Sequence, residues 1–158
     1  MHQFRFTYSV LITLILAISL SSCEQTRVFD KNVSLDKKGW YYGEAKSFDV
    51  EILDTTMAYN LYINVRHTDE YPYNNLWLKL TTTMPDGSVQ ENKLIQLSEL
   101  TGEWTGNCID GICYNSVLIQ HNFALKKKGK YTFTLEQDMR LNPIPYLMDI
   151  GIKVEKFM

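Results

Sequence analysis

The stretch Tyr59-Asn60-Leu61-Tyr62-Ile63-Asn64-Val65-Arg66 decides the fold class. Tyr59, Leu61, Ile63 and Val65 alternate with Asn60, Tyr62, Asn64 and Arg66, the period of a strand with one buried face. The same period recurs on both sides of it. Phe48, Val50 and Ile52 alternate with acids, and Leu76, Leu78 and Leu80 with Trp77, Lys79 and Thr81. Tyr131, Phe133 and Leu135, then Ile150, Ile152 and Val154, repeat the pattern. Two further strands are expected at 89–97 and 115–123, and a first short one near Val28-Phe29 or Trp40-Tyr41-Tyr42. Turn chemistry separates them: Asp54-Thr55-Thr56-Met57, Met84-Pro85-Asp86-Gly87-Ser88, and Lys126 to Gly129, whose glycine supplies a positive φ. Asn142-Pro143-Ile144-Pro145 cannot be central strand, because proline donates nothing to a ladder. Only Leu94–Leu100 has a helical look, and it is short. The chain is therefore expected to be all-β, an antiparallel β-sandwich of about seven to eight strands, with a small barrel as the lesser option. Ile63, Val65, Leu78, Phe133, Leu135, Ile150 and Ile152 are expected to face its core.

The 158 residues suit one domain. Apolar residues at 45% and charged residues at 22% exclude general disorder. Sixteen basic against 18 acidic side chains give a formal charge of -2, so the basic footprint of a nucleic-acid binder is missing. Aromatics at 13% fit a strand-rich chain.

The N-terminus reads as a targeting segment. Residues 1–9 carry Arg5 and no acid, and residues 10–20 are almost wholly apolar. That run is too short to span a bilayer, which takes about 20 residues, but has the length of a signal-peptide core. Leu20-Ser21-Ser22-Cys23 follows and resembles the bacterial lipobox. In such signals the peptide is cut before the cysteine and the cysteine is acylated. Residues 1–22 are thus assigned as a lipoprotein signal peptide, 23–46 as the lipidated Cys23 and a tether, and 47–158 as a single sandwich domain. Cleavage would leave 136 residues, with 15 basic and 18 acidic groups. No cofactor is expected apart from the covalent lipid. With two or more acyl chains, each buried CH₂ contributing roughly 0.8 kcal/mol, the anchor is stable.

Cys108 and Cys113 lie in Trp104-Thr105-Gly106-Asn107-Cys108-Ile109-Asp110-Gly111-Ile112-Cys113. The envelope location permits a disulfide, and Gly106 and Gly111 allow the backbone to turn between the two residues. A disulfide is favoured over free thiols. A metal site is disfavoured, since no histidine or second cysteine pair stands nearby.

Catalytic signatures are missing. The mature chain has only His67 and His121, in no ligand pattern, and neither a phosphate loop nor a nucleophile elbow is present. Asp69-Glu70, Asp86-Gly87 and Asp110-Gly111 read as loop and turn residues. No enzyme activity, small-molecule substrate or metal is expected. The densest segment is Arg66-His67-Thr68-Asp69-Glu70-Tyr71-Pro72-Tyr73-Asn74-Asn75-Leu76-Trp77. Its residue types are those favoured at binding hot spots. Arg66, His67, Tyr71 and Tyr73, with Trp104 as neighbour, are the candidate partner-binding residues. The plainer alternative makes Tyr71 and Tyr73 plugs of the core, with Arg66 paired to Asp69.

This segment also carries a resemblance. With the lipobox, Asp54 to Asn60, Arg66 to Trp77, Pro85-Asp86-Gly87, Gly102 to Gly106, Tyr131 to Arg140 and Pro143 to Val154, it resembles the gliding-motility lipoprotein GldH family of the Bacteroidetes. The resemblance implies an envelope lipoprotein without known catalytic activity, needed for gliding and linked to the type 9 secretion machinery. Its implied partners are the membrane, through the lipid, and other motility or secretion proteins of the envelope. Cys108 and Cys113 fall where relatives are expected to be Gly-rich and cysteine-free, a local elaboration. Glu24-Gln25-Thr26-Arg27 lacks the acidic run that marks surface export, so the outer membrane facing the periplasm is the expected location. The alternative from residue types is an envelope-anchored carbohydrate- or peptidoglycan-binding sandwich. Exposure of Trp40, Tyr71, Tyr73, Trp77 and Trp104 discriminates between the two.

Overall fold

The structure is a computed structural model and describes residues 26–95 and 106–158. Nine strands form among these residues: β1 (Arg27–Ser34), β2 (Lys46–Ile52), β3 (Ala58–Thr68), β4 (Leu76–Thr83), β5 (Val89–Ile95), β6 (Asn107–Ile109), β7 (Ile112–Ala124), β8 (Gly129–Gln137) and β9 (Leu147–Lys156). They make two antiparallel sheets, ordered β1-β9-β3-β7-β6 and β2-β8-β4-β5. The chain is an all-β sandwich, one strand richer than the upper expectation. The extra strand, β6, is three residues long, too short to show a period. It forms because Asp110 and Gly111, both at positive φ (49° and 76°), close a two-residue hairpin onto β7.

Alternation decides what is buried. Phe48, Val50 and Ile52 of β2, Leu76, Leu78 and Leu80 of β4, and Tyr131, Phe133 and Leu135 of β8 face Leu61, Ile63 and Val65 of β3 and Ile150, Ile152 and Val154 of β9. All seven residues assigned to the core from the sequence are buried. Trp40, fully enclosed, closes one end of this core. Its backbone exchanges two hydrogen bonds with Ile144 (2.9 and 3.0 Å), and its indole Nε1 donates to the Glu44 carbonyl at 2.7 Å.

The tether expected over 23–46 needs correction. Residues 27–34 are an edge strand, paired with β9 from Arg27–Glu155 to Ser34–Asp149. The sequence marked only a short strand near Val28-Phe29, because an edge strand buries little of either face and Asp30 and Lys31 interrupt its apolar pattern. Among the described residues the folded body reaches back to Thr26, whose carbonyl accepts a 2.7 Å hydrogen bond from the Lys156 amide. Trp40 bridges to Ile144 but belongs to no strand.

The registers assign the connections to two ends. Loops 35–45, 69–75 and 138–146 and the 110–111 turn gather at one end. Turns 53–57, 84–88 and 125–128 gather at the other, together with the start of β1.

Candidate functional site

The predicted patch divides between core and surface. His67 and Tyr71 are buried, at 0% and 3% exposure, and are corrected to core residues. The cause is register: β3 places His67 opposite Cys113 and Leu147 on the inward face, and Tyr71 folds back beneath it with ring centres 5.4 Å apart. His67 Nδ1 lies 2.7 Å from the Thr68 carbonyl, which can only accept, so Nδ1 carries the proton. Nε2 then accepts from Asn115 Nδ2 at 3.1 Å. Burial lowers the imidazole pKa, opposed by the bond to Thr68. This neutral histidine has both nitrogens engaged and is structural.

Tyr71 donates from its hydroxyl to the Asn75 carbonyl at 2.9 Å, and burial pushes its phenol above the ordinary value, with a smaller push from Tyr73. Tyr73 is half-buried and meets Tyr71 edge-on at 5.6 Å. Arg66 is exposed and pairs with Asp149, not with Asp69. The two stand directly opposite in the β3–β9 register on the outer face, whereas Asp69 lies beyond the strand end. Ser34 Oγ also donates to Asp149, at 2.7 Å, so the pair is committed within the sheet. Cys108 and Cys113 are joined by a disulfide that ties β6 to β7, with Cα atoms 4.0 Å apart and Cys113 buried. Trp104 and Cys23 lie outside the described residues.

A site the sequence reading missed lies at the same end, beside the patch. Tyr73, Asn75, Trp77, Asp138, Arg140 and Leu141 line an open cleft of about 410 Å³. β4 explains why Trp77 is on the surface: Leu76 and Leu78 point inward, so Trp77 must point out, and it is 44% exposed. The far wall, 138–142, is held against the strand edge. Asp138 N donates to the Trp77 carbonyl at 2.8 Å, and Met139 N to Gln137 Oε1 at 3.0 Å. Asn142 Oδ1 accepts from Tyr42 N (2.9 Å) and Gln137 Nε2 (3.3 Å), and the Tyr42 hydroxyl donates to the Met139 carbonyl. Tyr71 fixes the near wall through Asn75. The signal that could have found the cleft was the out-facing Trp77 followed, across the β4–β8 pairing, by the charged pair Asp138 and Arg140. Among the described residues no group of three or more His, Cys, Asp or Glu could hold a metal ion.

Residues 27–154 match the GldH lipoprotein family. The chain belongs to that family. It is 29% identical over 160 residues to the gliding motility lipoprotein GldH homolog of Christiangramia forsetii, covering 96% of this chain and 98% of the relative. It is 31% identical over 153 residues to the gliding motility lipoprotein GldH of Flavobacterium johnsoniae, covering 92% and 94%. The GldH match begins at Arg27, the first residue of β1, and ends at Val154 within β9, so it spans both sheets. Among solved structures, a family GH115 4-O-methyl-α-glucuronidase with specificity for decorated arabinogalactans is similar to 87% of this chain over 18% of its own. That likeness has a TM-score of 0.42 at 11% identity and carries no functional argument.

Proposed function

We propose that this chain is an outer-membrane lipoprotein, anchored through Cys23 and facing the periplasm, that serves as a non-catalytic component of the gliding motility and associated type 9 secretion machinery. The observation that carries the reading is the match to two GldH proteins over nearly the whole of all three chains. Leu20-Ser21-Ser22-Cys23 supplies the anchor signal, and the missing acidic run after Cys23 supports the periplasmic face. Burial of Trp40 and Tyr71 and partial burial of Tyr73 support a protein-docking scaffold over an open aromatic platform, with Trp77 as the exception.

The position of β1 supports an orientation for such an anchor. Thr26 sits at the start of β1, three residues past Cys23, a stretch that spans at most ~11 Å. β1 then runs eight residues, roughly 26 Å, to the end that carries loops 69–75 and 138–146. With a lipid on Cys23, this geometry supports a reading in which the loop end lies farther from the bilayer than the start of β1, within reach of envelope partners.

Replacing Cys23 with Ala in the native cells tests the reading. Palmitate labelling should be lost, and gliding and type 9 secretion should fall with it. Wild-type protein should fractionate with the outer membrane and resist protease added to intact cells. An unmodified Cys23 in mature protein, or normal gliding and secretion in cells deleted for the chain, overturns the proposal.

A further inference from the structure

We infer that the Trp77 cleft, at the end of the sandwich opposite the start of β1, is a binding site for a neutral oligosaccharide. The site has one flat apolar face and around it a set of polar groups that are unused among the described residues. Trp77 is exposed although tryptophan is among the side chains that gain most from burial. Its indole Nε1, the Tyr73 hydroxyl, the Asn75 amide, the Asp138 carboxylate and the Arg140 guanidinium make no side-chain hydrogen bond or ion pair with any other described residue. These are donors and acceptors in nearly equal number. They suit a ligand that carries both on every ring and an apolar C–H face to lay on the indole, which is the chemistry of a pyranose.

Charge and size choose among ligand classes. The cleft carries one positive and one negative side chain, Arg140 and Asp138, so it favours neither an anion nor a cation. A volume of about 410 Å³ lies at the small end of ligand pockets and holds only a few sugar rings. A protein–protein interface takes about 20–30 residues a side, several times the lining here. Both walls are fixed by the hydrogen bonds of Tyr71, Tyr42 and Gln137, so binding need not order a loop. The inference is independent of the motility role: a sugar site can exist on a scaffold that also docks proteins, and either can fail alone.

The test uses the full lipidated chain in a detergent without a sugar headgroup. Neutral trisaccharides of N-acetylglucosamine, glucose, galactose and mannose are titrated against it by calorimetry and intrinsic fluorescence, beside a trigalacturonate and an uncharged tripeptide. At least one neutral trisaccharide should bind with a Kd of about a millimolar or tighter. Trp77→Ala should weaken it by about tenfold or more, Arg140→Ala by a smaller factor, and Trp77→Phe should keep part of the affinity, all three with unchanged melting temperature. Binding by N-acetylated sugars alone, or by plain hexoses alone, supports the site and tells its source. The inference is overturned if no neutral trisaccharide binds at about 10 mM, if binding survives Trp77→Ala, or if only the tripeptide or the galacturonate binds.

Discussion

Asn64 donates from Nδ2 across the bare backbone of Gly151 to Asn32 Oδ1 at 3.1 Å. The three residues, with Ser116, occupy one register row across β1, β9, β3 and β7 on the outer face of the larger sheet. Asn64 also donates to Asp30 Oδ1 at 3.0 Å and accepts from Ser116 Oγ at 2.8 Å. The row explains how an out-facing asparagine is 1% exposed without an unmet hydrogen bond.

A methyl group at residue 151 would break this row. The Cβ would fall on Asn32 Oδ1 and 2.5 Å from the Lys31 carbonyl oxygen, which is backbone and cannot swing aside. Gly151→Ala should therefore cost about 1–3 kcal/mol and loosen β1 from β9. Asn64→Ala should cost less, about 0.5–1.5 kcal/mol, because its partners Asp30, Asn32 and Ser116 are exposed and can turn to water. Urea midpoints, with amide exchange of β1 as local readout, check both.

Tyr71 supports the core and fixes the cleft wall. The double variant Tyr71→Ala, Tyr73→Ala should lose about 3–5 kcal/mol, mostly through Tyr71, since an enclosed aromatic leaves a cavity and an unbonded Asn75 carbonyl. Tyr73→Ala alone should keep a near-normal melting temperature. Thermal unfolding of the three variants separates the contributions.

His67 sets a pH dependence. Its folded pKa is lowered by burial below the ordinary 6.5, so the unfolded chain takes up a proton first as pH falls. Stability should be level above about pH 6.5 and decline below it, until the folded pKa is passed, with a slope of at most ~1.4 kcal/mol per pH unit. His67→Gln should flatten that part of the profile. Urea midpoints between about pH 8 and pH 5 supply the measurement.

The Cys108–Cys113 bond closes a short loop, and its reduction should cost about 2 kcal/mol in the chain-entropy model. Non-reducing peptide mapping of envelope-isolated protein should recover the two cysteines linked. Since Cys113 is fully buried, alkylation after mild reduction should mark Cys108 first.

How much was legible beforehand follows from the range of the forces involved. Alternation along 48–52, 59–65, 76–80, 131–135 and 150–154 is a local property of the chain. It alone determined the all-β class and the core positions that proved buried, Ile63 and Ile152 among them. Turn residues at Met84–Ser88 and Lys126–Gly129 were likewise local and marked the strand ends. The sequence offered a short first strand near Val28-Phe29 or Trp40-Tyr41-Tyr42, and only the tertiary structure chose the first and extended it over 27–34, because an edge strand takes its partner from β9, more than a hundred residues on, as the Ser34–Asp149 bond shows. It also decided between Tyr71 and Trp77. Both are aromatics of one loop-and-strand segment, and residue type gives them equal claim to the surface. The fold of 69–75 under His67 buried the first, and the inward commitment of Leu76 and Leu78 forced the second outward. The cleft needed more still. Trp77 meets Asp138 and Arg140 only because β4 pairs with β8, and pairing between strands distant in sequence is set by long-range packing that the period of either strand does not encode.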